Sequence, residues 1–228
     1  FTVGGEEIPC VSEQPVKSLG RWYAEPLNDR CRSKEIESTV LASLQAIEHS
    51  ALPGKYKVWC YQFGLLPRVV WQLAIYDIPL SPVERMEKKV SACLRKWLGV
   101  PRSFATNALY AASFKLTLPI TSLVEEYKAG KIRTQAMLYN SRDGTVSNLS
   151  PALDTGKKWR ATAVTEALQA RLAMKDIIGA TTQGRAGLGS STFKRFANAS
   201  GRRRWAMVVD ELRAAEEERR LAEASQQG

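Results

Sequence analysis

The 228-residue chain is 44% hydrophobic and 25% charged, a composition typical of a folded protein and unlike that of a disordered one. Its 33 lysines and arginines against 23 acidic residues give a net charge of +10, which favours a polyanionic partner, either nucleic acid or an acidic membrane surface. The sequence has no uninterrupted apolar stretch of the roughly 20 residues needed to cross a bilayer, and no signal peptide is visible. We therefore expect no membrane partner.

The cysteines, Cys10, Cys31, Cys60 and Cys93, lie far apart and form no C-x-x-C pair of the kind that binds zinc. His49 is the only histidine. We therefore expect reduced thiols and no metal or other cofactor in this chain, in a nuclear or cytoplasmic protein. Because the chain starts at Phe1 within a predicted strand, we expect it to be a piece of a longer protein.

The first thirty residues predict a small β element. The run "FTVGGEEIPCV" reads as a hairpin around two glycines, and "VKSLGRWY" reads as a third strand. Leu19 and Gly20 interrupt that strand, with Lys17 and Arg21 on either side of them. A glycine weakens a strand unless a bulge or a close-approaching backbone requires the missing side chain.

Helices are predicted from residue 33 onwards. Apolar residues recur every three or four positions between residues 33 and 50, which indicates an amphipathic helix with Ser33 as N-cap. The nearly apolar stretch 55–79, broken by Gly64 and Pro67, predicts two buried core helices.

The clearest helix is predicted from residue 81 to residue 98. Ser81 suits its N-cap, Pro82 its first position and Glu84 a capping box. An apolar stripe docks it to a core, so its cations point outward, and no acidic residue occurs between residues 88 and 102. The cations of this basic face are Lys88, Lys89, Arg95, Lys96 and Arg102. A merely solvated face is the alternative interpretation.

Further helices are predicted near 103–112, at 120–139 and at 157–178, with an extended piece at 114–119 and a boundary within 143–151. A glycine-rich turn and a basic-then-acidic helix from Gly201 complete the chain. We predict a mainly α protein with a small N-terminal β element, divided into a β element (1–30), a helical domain (31–140) and a helical connector (141–228).

Catalytic residues are not predicted. The acidic neighbours sit in a turn or on presumed solvated helix faces, and the glycine-rich turn lacks the Gly-Lys-Ser/Thr ending of a phosphate loop. The triplet 202–204, Arg-Arg-Arg, is a nuclear signal, a phosphate patch or a solvated helix start.

The segments "PVKSLGRWY", "GLLPRVVWQLAIYDIPL" and "ERMEKKVSACLRKWLGVPRS", in this order, resemble the region after the palm in reverse transcriptases of non-LTR (LINE-type) retrotransposons. The resemblance covers residues 1–140 best. It implies that Leu19 and Gly20 form the primer grip and that the helices between Ser33 and Trp97 form the thumb. Many members have an aromatic residue where this chain has Ser18. The catalytic aspartates and the two magnesium ions would belong to a palm upstream of Phe1.

We therefore predict a non-catalytic fragment of an RNA-directed DNA polymerase, with an RNA template, a DNA primer and the upstream palm and fingers as partners. The predicted nucleic-acid contacts are Lys17, Leu19, Gly20 and Arg21 at the primer end and the five cations of the basic face along the duplex. These contacts would be mainly to phosphate and sugar, because a polymerase must accept any sequence. The alternative is a basic helical module for protein–protein assembly with no nucleic-acid role.

Overall fold

The structure is a computed structural model that describes residues 2–3, 6–7, 10, 12–18, 21–23, 29–110, 120–148, 153, 155–184 and 195–226. It is mainly α-helical with a small β element at the N-terminus, as the sequence predicts.

Two short antiparallel hairpins open the chain. In the first, β1 (Thr2–Val3) pairs with β2 (Glu6–Glu7), as expected. In the second, β3 (Val16–Ser18) pairs with β4 (Arg21–Tyr23), with Ser18 opposite Arg21. The interpretation of this segment as a single strand is therefore wrong, whereas the antiparallel pairing agrees with the Leu-Gly hairpin that the resemblance implies.

The helices that follow pack around one hydrophobic core. Helix α1 (Arg30–His49) covers the first predicted helix and buries Ile36, Val40 and Leu44. It begins before Ser33 with Asp29 as its N-cap, so the prediction of Ser33 as N-cap is wrong. The stretch predicted as two helices is a single helical run. It consists of α2 (Gly54–Trp59), a π-helical segment (Cys60–Leu65) and α3 (Leu66–Ile75).

This helical run has a buried row and an exposed row of side chains. The buried row contains Val58, Tyr61, Leu65, Val69 and Leu73, so the run contributes to the core as predicted. Four large aromatic side chains on the other side are 50% exposed or more, so the prediction of fully buried helices is wrong for that side. Leu73 follows Val58 by fifteen positions, slightly more than the roughly 14.4 that four ideal α-helical turns contain. The wider π-helical turn takes up this difference, so the buried side chains stay on one side.

Helix α4 (Leu80–Leu98) is the strongly amphipathic helix that the sequence predicts, but the predicted capping box is wrong. The helix begins before Ser81, Pro79 is its N-cap, and no side chain caps it. Leu80 is buried in the core, and the helix begins with it, two residues before the predicted first position Pro82. Glu84 instead forms an ion pair with Lys158 at 2.5 Å.

The C-terminus of α4 is closed by Gly99, whose φ of 68° lies in the left-handed region. The amide of Val100 donates to the carbonyl of Arg95 at 3.1 Å, and the amide of Gly99 donates to that of Lys96 at 3.2 Å. These two bonds are those of a Schellman motif. The sharp stop leads directly to Arg102.

Four of the remaining helices contribute side chains to the same core, namely α5 (Thr106–Tyr110), α6 (Leu123–Tyr139), α8 (Ala161–Gly184) and α9 (Gly201–Ser225). The short helix α7 (Gly144–Asn148), which follows α6, buries none of its side chains. Helix α8 continues six residues beyond its predicted end, and the extended piece predicted at 114–119 lies outside the described residues. Leu168 and Val208 of the predicted connector share the hydrophobic core with the residues before position 140.

Among the helices of the described part of the chain, none combines the length and apolar character needed to cross a lipid bilayer.

Candidate nucleic-acid interface

The β3–β4 hairpin is fastened to the helices through Arg21. Its guanidinium donates to the carbonyl oxygen of Ile75 and to the carboxylate of Asp29, each at 3.0 Å. The backbone amide of Trp22 also donates to the hydroxyl of Tyr76 at 3.1 Å. Arg21, predicted to contact phosphate, thus anchors the hairpin between the start of α1 and the end of α3.

The two residues between the paired strands, Leu19 and Gly20, lie outside the described residues, so the predicted primer-grip contact remains a prediction. Lys17 is exposed on β3. The aromatic residues after the glycine are not in the core, because Trp22 is 39% and Tyr23 is 38% exposed.

The indole ring of Trp22 lies between two cations. The ammonium nitrogen of Lys17 is 5.8 Å, and the guanidinium carbon of Arg32 is 5.3 Å, from the ring centroid, both within cation–π range. These three residues line a cleft of about 230 Å³, which Trp71 of α3 also lines. The cleft therefore offers two indole rings and the cation Lys17 to a ligand, whereas Arg32 is already paired with Glu35, whose side chain also lines the cleft.

A larger groove of about 990 Å³ runs between the C-terminal halves of α1 and α4. Its lining includes the apolar side chains Leu41, Leu44, Ala92, Cys93 and Val100. Four of the five predicted basic-face cations also line it, namely Lys89, Arg95, Lys96 and Arg102. Lys88 is exposed on α4 but does not line the groove.

Two of these four cations already have partners within the protein. Lys96 forms an ion pair with Glu48 of α1, and Arg95 donates to the carbonyl oxygen of Phe104 at 2.7 Å and to the hydroxyl of Thr106. The Lys96 ammonium is the main cause that holds the pKa of Glu48 below its ordinary value, and the indole N–H of Trp97 also contributes. The sequence places no acidic residue within positions 88–102, but α1 supplies one across the groove.

Lys89 and Arg102 differ from those two cations. In the described part of the chain, neither residue has an ion pair or side-chain hydrogen bond, and both are exposed. They are consequently the groove cations most readily available to an external anion.

The groove and the hairpin cleft lie on opposite flanks of α1. Arg32 faces the cleft and Leu41 faces the groove. The two residues are nine positions apart, which is about two and a half helical turns and places their side chains half a turn apart. A ligand in the groove therefore contacts a different side of α1 from a ligand in the cleft.

Three residues of these two regions were not predicted from the sequence. Arg32 had a usable signal, because a cation near a helix N-terminus opposes the helix dipole and indicates another role. Trp71 and Glu48 gave no such signal, since their positions depend on how the helices pack.

Within the described ranges, no three histidine, cysteine, aspartate or glutamate side chains converge in a way that could hold a metal ion.

Comparisons of the chain with protein-family models, with curated proteins and with solved structures found no match.

Proposed function

We propose that this chain binds the sugar–phosphate backbone of an RNA–DNA hybrid, as the thumb and primer-grip region of a reverse transcriptase, while the catalytic residues lie in another part of the protein. The main observation in support is the groove between α1 and α4, which combines an apolar surface with two unpaired cations, Lys89 and Arg102.

The groove suits a phosphate backbone better than a base edge. Lys89 and Arg102 supply charge without a fixed orientation, which positions a duplex but does not read its sequence. Arg95 and Lys96 have a different role in the proposal, since their bonds to Phe104 and Glu48 hold the walls of the groove together. At the hairpin, Lys17 and the Trp22 ring form a second contact for the primer end.

The rival function, protein–protein assembly, relied on the charges of the last helix, and these are largely satisfied inside the fold. Arg220 pairs with Glu125, and Glu216 pairs with Lys128 across the contact between α9 and α6. All four side chains are no more than 15% exposed. They are therefore poorly available to a partner helix, and we favour the nucleic-acid function.

The test is the salt dependence of hybrid binding by the double variant Lys89→Gln/Arg102→Gln. Each lost phosphate contact lowers the slope of log affinity against log salt by about 0.7 to 0.9, so we expect a decrease of roughly 1.4 to 1.8. The matched control is Lys157→Gln/Arg160→Gln, which removes one lysine and one arginine that are also exposed. Equal decreases in both variants would mean that binding follows net charge, and the groove assignment would be abandoned.

A further inference from the structure

The exposed row of the helical run is made of aromatic rings. Tyr56 is 50%, Trp59 53%, Phe63 53% and Trp71 63% exposed. Between Gly54 and Ile75, every one of which is described, no aliphatic leucine, isoleucine, valine or methionine side chain is exposed. A general hydrophobic docking face would expose aliphatic side chains as well, so this surface is specifically one of flat rings.

These rings follow one line along the helical run. They lie on the side opposite the buried row, because Tyr56, Trp59 and Phe63 are each two residues before a buried side chain. The ring centroids of Trp59 and Phe63 are 5.4 Å apart. From Tyr56 to Trp71 the row extends roughly 22 Å, the length of about six stacked nucleotides.

The charge around the row is cationic. No aspartate or glutamate occurs in the sequence between Glu48 and Asp77. The ammonium nitrogen of Lys55 is 5.2 Å from the Tyr56 ring centroid, and Arg68 is exposed. Of the flanking carboxylates, Glu48 is paired with Lys96, as described above.

A further carboxylate, that of Glu126, lines a separate depression of about 560 Å³ between α3 and α6, beside Trp71. It is already paired with Arg213 at 2.8 Å. A phosphate chain next to the rings would therefore meet cations and few uncompensated carboxylates.

The row ends at the hairpin cleft, because Trp71 lines that cleft together with Trp22 and Arg32. The row therefore leads from Tyr56 towards the hairpin cleft, with an interval of about 12 Å along the helix between Phe63 and Trp71.

We propose that this aromatic row, defined by Tyr56, Trp59, Phe63 and Trp71, binds single-stranded nucleic acid that leads to the hairpin cleft. Bases stack on the rings, and the phosphates lie near Lys55 and Arg68. Surfaces that bind single strands without sequence preference combine these two features, aromatic rings for stacking and cations along the backbone. The contact goes beyond the proposed duplex groove and does not depend on it.

The experiment compares the binding of a fluorescently labelled oligothymidylate of about ten nucleotides with that of a blunt RNA–DNA hybrid. Removing two rings in Trp59→Ala/Phe63→Ala should weaken single-strand binding by about 30-fold or more, and leave hybrid binding unchanged. The ring-preserving variant Trp59→Phe/Phe63→Tyr should retain most of the affinity. The control Tyr139→Ala/Met174→Ala removes exposed side chains elsewhere and should have no effect.

The groove variant Lys89→Gln/Arg102→Gln separates this proposal from the proposed function, because it should keep its affinity for the single strand whether or not it loses the hybrid. The proposal is overturned if the alanine pair binds the oligothymidylate as tightly as the parent does. It is also overturned if the parent binds no single strand and instead self-associates through the row, since the rings would then form a protein interface. Thermal unfolding of each variant confirms that the exposed substitutions leave the fold intact.

Discussion

Replacement of Gly54 by alanine should destabilise the protein, because the start of α2 lies directly against the end of α4. A Cβ atom built at Gly54 would be 1.8 Å from the carbonyl oxygen of Trp97 and 2.8 Å from its carbonyl carbon. The two backbones would have to separate by about 1.2 Å to reach 3.0 Å, a distance below which real Cβ contacts essentially never fall. Neither atom belongs to a flexible side chain, so a rotamer change cannot relieve the clash.

Overpacking of this kind lowers the free energy of unfolding by about 1 to 3 kcal/mol or more, and the higher helix propensity of alanine offsets at most about 1 kcal/mol of that loss. We therefore expect a net loss of roughly 2 kcal/mol, which for a chain of this size lowers the midpoint of thermal unfolding by about 4 to 8 °C. The measurement is the circular dichroism at 222 nm as a function of temperature, with urea titration as a second measure of the free energy of unfolding.

Gly64→Ala is the matched control. Gly64 lies in the same helical run, and a Cβ atom there meets nothing within 4 Å. Alanine should therefore raise the free energy of unfolding by up to about 1 kcal/mol. If Gly54→Ala unfolds at the parent temperature or above it, the close approach of α2 to α4 is wrong, and with it the position of Trp97 beside Glu48 in the groove wall.

Two further substitutions test the polar interior. Burial raises the pKa of Glu87, because the fold disfavours the ionised carboxylate. The stability that the protonated side chain contributes is therefore fully present below the unfolded pKa of about 4.3, and it is lost as the pH rises through the folded pKa. Glu87→Gln keeps an acceptor for the amide of Val124, so its free energy of unfolding in urea should exceed that of the parent at pH 7. The difference should vanish near pH 4. A lower free energy of unfolding for the variant at pH 7 would contradict this reasoning. Arg21→Met removes both hairpin bonds and should lower the free energy of unfolding by about 1 to 3 kcal/mol, whereas Arg21→Lys should lose less. Hydrogen exchange at the Trp22 amide measures the release of the hairpin, and unchanged protection in Arg21→Met would show that Arg21 does not anchor it.

The helices could be predicted from the sequence because their signals are local. The recurrence of apolar residues gives α1 and α4, and Gly99 followed by Pro101 gives the end of α4. The start of α4 could not be predicted, since the burial of Leu80 outweighed the local preference of Ser81 for the N-cap. A helix start depends on which residue the core requires, and the local sequence does not contain that information.

The exposed aromatic row could not be predicted for a related reason. Trp59 and Phe63 are as apolar as the buried Tyr61 and Leu65, so composition alone places all of them in the core. The distinction requires the direction of the helical run, and the π-helical segment that maintains it has no recognised signal in the sequence. In an apolar run without alternating polar residues, the sequence does not indicate which side of the helix is exposed to solvent.

The cations show what a count of charges omits. Nine contact residues are predicted, the cations among them for their charge and Leu19 and Gly20 from the resemblance. Three of the cations, Arg21, Arg95 and Lys96, have partners within the fold. A cation that already holds a carboxylate or a carbonyl oxygen must break that bond before it meets phosphate, so its contribution to the salt slope is smaller than that of an unpaired one. Of the remaining cations, Lys17 lines the cleft on one flank of α1, Lys89 and Arg102 line the groove on the other, and Lys88 is exposed but lines neither.

This division of charge across α1 gives the proposed contacts a geometrical consequence. A straight duplex seated in the groove cannot also lie in the cleft half a turn around the helix, so the two regions must bind different parts of a nucleic acid. A junction between duplex and single strand has two such parts, because its strands diverge at the end of the duplex. We therefore expect a hybrid with a single-stranded overhang to bind more tightly than the blunt hybrid, and the increase to disappear in Trp59→Ala/Phe63→Ala while the affinity for the blunt hybrid stays the same.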